Sequence, residues 1–430
     1  MIDRRQLLIA GVAVVATGAT RGPPRERLAA LADAARPDTV LGLAVMARDE
    51  RGRLTLAEAH GRGVRGQGTG RTERPFTLDT PVRVASLSKT VATAVLMRLI
   101  EQGALQLDED VSERLGWRLR HPAHPETAIT PRLLASHTSG LRNGTSYPVP
   151  LGHRLEEAFT PGGRHWDDGS WWSPASEPPG RWWAYADVNF AVLAQLMERA
   201  TGQRFDQLAS RVVLRPLGLD VGYNWSGVSQ AKRDAASACC RMEGGVWTPQ
   251  VDATVPPAPE PWVNATPETP TLRAADYRIG DNGFAFSPQG GLRASVRDLD
   301  RLARTLRDGG GRVMGGASAA AMIQPVWRYD DAHPNGTIGD GLVRAYGLGV
   351  QAPTGAASDS FFGADSAEWR GHYGEAYGLV SGLWWNTQDG RTLAYIINGT
   401  PRPAETARGE ARTAATPWEQ AIFDAVVTAG

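Results

Sequence analysis

Lysine is scarce. Of 46 basic residues in a chain of 430, only Lys89 and Lys232 are lysines. Positive charge is therefore carried almost wholly by guanidinium, which keeps its proton, and a proton-accepting amine has only two possible positions. Charge of one sign is not in excess either, since 46 acidic side chains balance the 46 basic ones. Nucleic acid is left without an electrostatic footprint and is not expected as a partner. Cysteine is limited to the adjacent Cys239 and Cys240. Chain neighbours close a disulfide only with strain, so both are expected as free or packed thiols. They frame no disulfide scaffold and no metal signature. Beyond the N-terminus no apolar run reaches eighteen residues, so no stable membrane span is expected.

The N-terminus differs in kind. Arg4-Arg5 precede an apolar stretch to about Val15, followed by the small residues Ala16-Thr17-Gly18-Ala19. A charged start, a short apolar centre and a small-residue end describe an export signal over residues 1–19, and the arginine pair fits the twin-arginine type. The plainer alternative is an apolar chain end. Export places the mature protein in the periplasm or outside the cell. Residues 22–430 read as one domain, because 42% hydrophobic and 21% charged residues describe an ordinary globular chain with ample core. Fourteen tryptophans, several in pairs, fit core packing and loop anchoring, with an aromatic-walled cleft as the alternative.

Residues 40–48 and 53–59 read as two strands about the turn Asp49-Glu50-Arg51-Gly52. Residues 379–385 and 392–398 form a second hairpin-like pair about Asn386 to Gly390, and residues 418–429 suit an amphipathic helix. Between them lie helical stretches at 92–101, 188–200 and 205–214. The expected class is α/β (α+β): an antiparallel sheet built from both chain ends, flanking helices and an inserted, mostly helical subdomain. The α/β part covers about 35–95 and 290–430, and the insert about 96–289. Residues 143–180 and the proline-rich 248–271 read as long surface loops of the kind that wall enzyme sites.

Lys89 follows Ser86 by three, in Ser86-Leu87-Ser88-Lys89, and on a helix those positions share a face. A hydroxyl and an amine side by side are a nucleophile and a proton acceptor. The spacing alone decides nothing, because Lys232 also follows Ser229 by three and because Ser86 also suits a helix cap. The surroundings differ. An apolar run from Val91 to Ile100 follows Lys89, so its helix is expected to be buried, while Arg233-Asp234 follow Lys232. Tyr185 and His372 complete a set from which acyl transfer can be built, although either suits ordinary packing.

In combination the chain resembles the serine β-lactamase and penicillin-binding peptidase superfamily, most of all its class C-type branch of esterases and peptidases, over roughly residues 35–425. The resemblance rests on Ser86-Leu87-Ser88-Lys89, on Ile129 to Leu141 with its Leu-Leu-Ala-Ser-His-Thr-Ser-Gly-Leu core, and on Tyr185-Ala186-Asp187. Pro216-Leu217-Gly218-Leu219, Gly290 to Leu299 and His372-Tyr373-Gly374 complete it.

The resemblance implies a serine hydrolase that forms an acyl-enzyme at Ser86. Lys89 and Tyr185 would share proton transfer. The backbone amides of Ser86 and Glu375 would form the oxyanion hole beside Gly374, and Asp187 and His372 would position the substrate. The substrate would be a small-molecule ester, amide or peptide, as for an esterase, a D-amino acid peptidase or a weak β-lactamase, with no metal and no organic cofactor. A penicillin-binding sensor that acylates once and stalls is the alternative. Asp187 stands where asparagine is more usual and His372 where lysine is common. Glu375 adds a carboxylate at that edge, so anionic substrates are expected to be disfavoured.

Overall fold

The computed structural model describes residues 23–66, 68–253 and 276–429. The expected export signal at 1–19 lies outside them, as does most of the proline-rich stretch. No described helix is long and apolar enough to cross a membrane.

The centre is a six-stranded antiparallel sheet. Its strands are β1 (Gly42–Arg48), β2 (Leu54–Arg65), β3 (Thr72–Pro75), β4 (Trp369–Ala376), β5 (Leu379–Asn386) and β6 (Thr392–Asn398), in the spatial order β4-β5-β6-β1-β2-β3. The first and last parts of the chain meet where β1 pairs with β6, Gly42 opposite Asn398 and Arg48 opposite Thr392. A sheet from both chain ends is what the two hairpin signals predict.

Side chains alternate between two cores, because successive residues of a strand point to opposite faces. Leu43 and Val45 of β1, Trp384 of β5 and Tyr395 of β6 enter one core. Ala44, Met46, Leu383, Trp385 and Ile396 enter the other. The paired tryptophans Trp384 and Trp385 are thus split between the two faces and almost fully buried, as core packing requires. The first face is covered by α1 (Pro24–Leu31) through Leu28 and by the C-terminal helix Pro417–Ala429 through Ile422, Phe423 and Val426. The second is covered by α2 (Leu87–Glu101) and the helix Val296–Arg307, which Ser295 and Asp298 open with a reciprocal capping box. That helix is also tied to the sheet by Arg48, whose guanidinium holds Asp300 at 2.8 and 2.9 Å.

Four local expectations change. Helix α2 starts at Leu87, five residues before the expected start at 92, because the Ser-Leu-Ser-Lys segment is its first turn. The middle of the chain is not all helical. Cys239–Glu243 and Val246–Val251 form a hairpin around Gly244-Gly245, both with positive φ, which turns the start of the proline-rich stretch into a strand. Residues 205–214 form a helix in two parts, with Ser210–Leu214 widened to i→i+5 bonding. Residues 143–180 are irregular, but they fold inward rather than lying on the surface: Trp171 is fully buried and its indole N–H donates to the His165 carbonyl at 2.7 Å.

Candidate active site

Ser86 sits at the mouth of α2. The preceding Ala85 has φ of +51°, a conformation costing on the order of 1–3 kcal/mol for a residue with a Cβ. It swings the chain from the short strand Val82–Arg83 into the helix. The Ser86 hydroxyl makes no capping bond, which removes the reading of this serine as a helix cap. Instead Lys89 Nζ donates to Ser86 Oγ at 3.0 Å and to the Gln289 carbonyl at 2.8 Å, and Asp187 Oδ1 lies 2.6 Å from the same nitrogen. Lys89 is fully buried. Burial pushes its amine below the ordinary lysine value, and the Asp187 carboxylate opposes that shift without cancelling it.

The second serine–lysine pair does something else. Ser229 Oγ accepts from the Lys232 backbone N–H and caps the short helix Gln230–Ala235, while the Lys232 ammonium pairs with Asp298.

Tyr185 lies over the amine, with Lys89 Nζ 4.7 Å from its ring centre. Its buried hydroxyl makes no well-formed hydrogen bond among the described residues, although Ser86 is close enough to act on it electrostatically. Burial first, then Asp187, holds this phenol well above its usual value. His137 stacks on the Tyr185 ring at 4.4 Å and its Nδ1 accepts from the Ala186 N–H and from Asn189 Nδ2. Asn189 in turn accepts from Ser139 Oγ. The His-Thr-Ser-Gly segment thus holds the Tyr-Ala-Asp turn in place. Asp187 Oδ2 accepts from Tyr147 Oη at 3.0 Å, so each of its oxygens has a partner.

Strand β4 passes beside the nucleophile. Gly371 exchanges both backbone hydrogen bonds with Gln351, on the side away from β5. Backbone groups alternate along a strand, so the N–H of Glu375, four residues on, points to that same outer side. A Cβ on Gly374 would fall 2.7 Å from the Val84 carbonyl and 3.1 Å from Ser86 N, so only glycine lets the strand come this close. The Ser86 backbone nitrogen therefore lies directly against β4 beside Gly374.

Two residues depart from expectation. His372 is fully buried and does not line the cleft. Its Nδ1–H donates to the Tyr373 carbonyl, leaving Nε2 to accept from Tyr346 Oη at 2.8 Å. Burial and the nearby Lys89 charge push the ring down to about 3, so it is a neutral brace behind Tyr185 rather than a substrate contact. Glu375 does line the cleft, but its carboxylate is held by Arg408 at 2.7 Å, and Arg83 and Arg241 line the same space. The expected bias against anionic substrates loses its basis.

The cleft measures about 620 Å³ and exposes Ser86, Asp187 and Glu375 to an aromatic wall of Tyr147, Phe284 and Tyr377. Tyr147, His137, Tyr346 and Gln289 are the members that sequence reasoning missed. The His-Thr-Ser-Gly motif pointed at one of them, and nothing local marks the other three.

This geometry has relatives. Over 392 residues the chain is 28% identical to Esterase EstB of Burkholderia gladioli, covering 84% of this chain and 91% of that one. It is 32% identical to the D-alanyl-D-alanine-carboxypeptidase/endopeptidase AmpH of Escherichia coli K12 over 142 residues, 33% of this chain and only 36% of AmpH. The fold matches a D-stereospecific amidohydrolase from Streptomyces sp. with a TM-score of 0.58 at 22% identity, covering 88% of this chain and 95% of that one. The family model described as Beta-lactamase matches residues 29–416, and the chain belongs to that family of serine hydrolases.

Proposed function

We propose that the protein is an exported serine hydrolase that cleaves a small-molecule ester or amide through an acyl-enzyme on Ser86. The observation that carries this reading is the buried Lys89 amine 3.0 Å from the Ser86 hydroxyl. Burial lowers the amine's basicity and raises the phenol of Tyr185, which makes the neutral amine the cheaper of the two bases. Lys89 takes the serine proton as Ser86 attacks the carbonyl carbon. The Ser86 and Glu375 amides stabilise the oxyanion, a contribution worth roughly 10²–10³ in rate per donor. Tyr185, beside both groups, passes a proton to the leaving group, and water then releases the acyl group.

Similarity to an esterase along most of the chain supports an ester before a peptide bond, and similarity to a carboxypeptidase over part of it keeps D-amino acid amides in view. The test is a panel of nitrophenyl esters, D-amino acid amides and a chromogenic cephalosporin, with a fluorophosphonate label to mark the nucleophile. Turnover of esters or amides with labelling confined to Ser86 is the expected result. A permanent penicillin adduct without turnover of any substrate would instead identify a sensor.

A further inference from the structure

The irregular segment 143–180 carries a second cluster of chemistry that the hydrolytic site does not use. His153 Nδ1 and His165 Nε2 lie 2.7 Å apart, and a carboxylate oxygen of Glu157 lies within 4.8 Å of a ring nitrogen of each histidine. Both imidazoles are buried, at 7% and 8% exposure. Glu157 is half-buried, yet its Oε2 is shut away from solvent and has no hydrogen-bond partner among the described residues. An enclosed carboxylate oxygen without a donor is costly unless something positive meets it. Two imidazole nitrogens and one carboxylate are three of the donors of a four-coordinate zinc site, the fourth being a water or a further oxygen.

We propose that His153, Glu157 and His165 bind one divalent transition metal, zinc by preference, as a clamp on the loop that walls the cleft. In its absence the arrangement is held by protons. The exposed Arg164 donates to His153 Nε2 at 2.9 Å, so the His153 proton sits on Nδ1 and faces His165 Nε2. The metal takes the place of that proton. The proton moves through solvent to Nε2 of the same ring, both imidazoles stay neutral, and Arg164 swings into water. With Zn–N bonds of about 2.0–2.1 Å at tetrahedral angles the two nitrogens separate to about 3.3 Å, a small opening from the present contact. Glu157 supplies one negative charge, and Asp167, close enough to act on His165, supplies a second.

The clamp has a clear place in the fold. Asp167 accepts from the Ser146 backbone N–H at 2.7 Å, and Ser146 precedes Tyr147, whose hydroxyl meets Asp187. Leu151, two residues before His153, lines the cleft with Tyr147. Metal at this cluster would fix both ends of that wall.

The experiment is a titration of the chelator-treated full-length protein with Zn²⁺ against a chromophoric competitor, with thermal unfolding alongside and Co²⁺ as a spectroscopic stand-in. One equivalent should bind, Tm should rise, and Co²⁺ should give the intense visible bands of a tetrahedral site. Glu157→Gln, which preserves shape, should weaken binding at least 10-fold, and His165→Ala should abolish it. Fluorophosphonate labelling of Ser86 should persist in both variants. Absence of one-equivalent binding in the wild type would overturn the proposal. So would unchanged affinity in a folded Glu157→Gln protein, since the metal would then sit elsewhere, for example at the exposed His333.

Discussion

The Asp187 carboxylate lies 2.6 Å from the Lys89 amine, and it acts against the burial that makes this amine a base. Burial favours the neutral form and Asp187 the charged one. A lysine that accepts the serine proton works only when neutral. Removing the carboxylate must therefore lower the lysine's basicity further and widen the pH range in which it is ready. Opposite charges at such distances shift a group by about 1–3 units. In Asp187→Asn the acid limb of kcat/KM for a neutral nitrophenyl ester should move to lower pH by an amount of that order. A limb that stays in place, or moves up, would show that Lys89 is not the base.

The two serine–lysine pairs make an internal control. Ser86→Ala should abolish turnover and leave the urea midpoint nearly unchanged, since the hydroxyl caps nothing. Lys89→Arg should be almost as damaging, because a guanidinium cannot give up its proton and has to fit a fully buried amine's place. Ser229→Ala should cost about 1 kcal/mol, the usual value of a lost helix cap, with kcat/KM untouched. If Ser229→Ala abolished activity instead, the assignment of the nucleophile would be wrong.

Much of this was legible because it is local. Serine and lysine three apart on one helix meet wherever the helix goes, and Trp384 and Trp385 split between the sheet's faces because strand periodicity is two. The sheet itself followed from two hairpin signals at the chain ends. What could not be read depends on contacts between distant segments. Tyr147 reaches Asp187 across 40 residues, and Tyr346 reaches His372 from a strand of two residues, Ala345–Tyr346. His372 was misplaced for a similar reason. The motif gave its position on the strand, but the direction of its ring is set by Tyr346 and the Tyr373 carbonyl. The hairpin at 239–251 was obscured by Pro249, which sits in a strand that pairs on one side only.

Glu375 makes stability depend on pH in a defined window. Burial raises its carboxyl to about 7 from an ordinary 4.5, with Arg408 opposing the shift. The folded protein therefore keeps a proton there that the unfolded chain releases. Between about pH 4.5 and 7 the folded state binds more protons, so stability falls as pH rises, and it levels off above 7. A shift of that size corresponds to at most about 3–4 kcal/mol. Glu198, also raised to about 7 by burial, acts in the same direction, while the buried His372, held down to about 3, opposes both below about pH 6.5. Urea unfolding at pH 5 and pH 8 should show a smaller loss in Glu375→Gln than in the wild type. Equal losses in the two proteins would mean that Glu375 is ionised throughout.

Gly374→Ala tests the edge where strand and nucleophile meet. The added methyl would lie 2.4 Å from Ser381 Oγ, 2.7 Å from the Val84 carbonyl and 3.1 Å from Ser86 N. The serine could turn away, but it donates to that same Val84 carbonyl at 2.9 Å, so moving it breaks a buried hydrogen bond. The backbone atoms cannot yield without shifting Ser86 itself. The strand must therefore back away and carry the Glu375 amide out of reach of the oxyanion. Acylation should fall roughly 10²–10³-fold, the worth of one such donor. KM should rise as well, because the retreating strand takes Glu375 and Tyr377 of the cleft wall with it. The informative measurement is single-turnover acylation by a nitrophenyl ester beside a urea titration. A folded Gly374→Ala protein that acylates at the wild-type rate would remove Glu375 from the oxyanion hole, and the second donor would have to be sought on another segment.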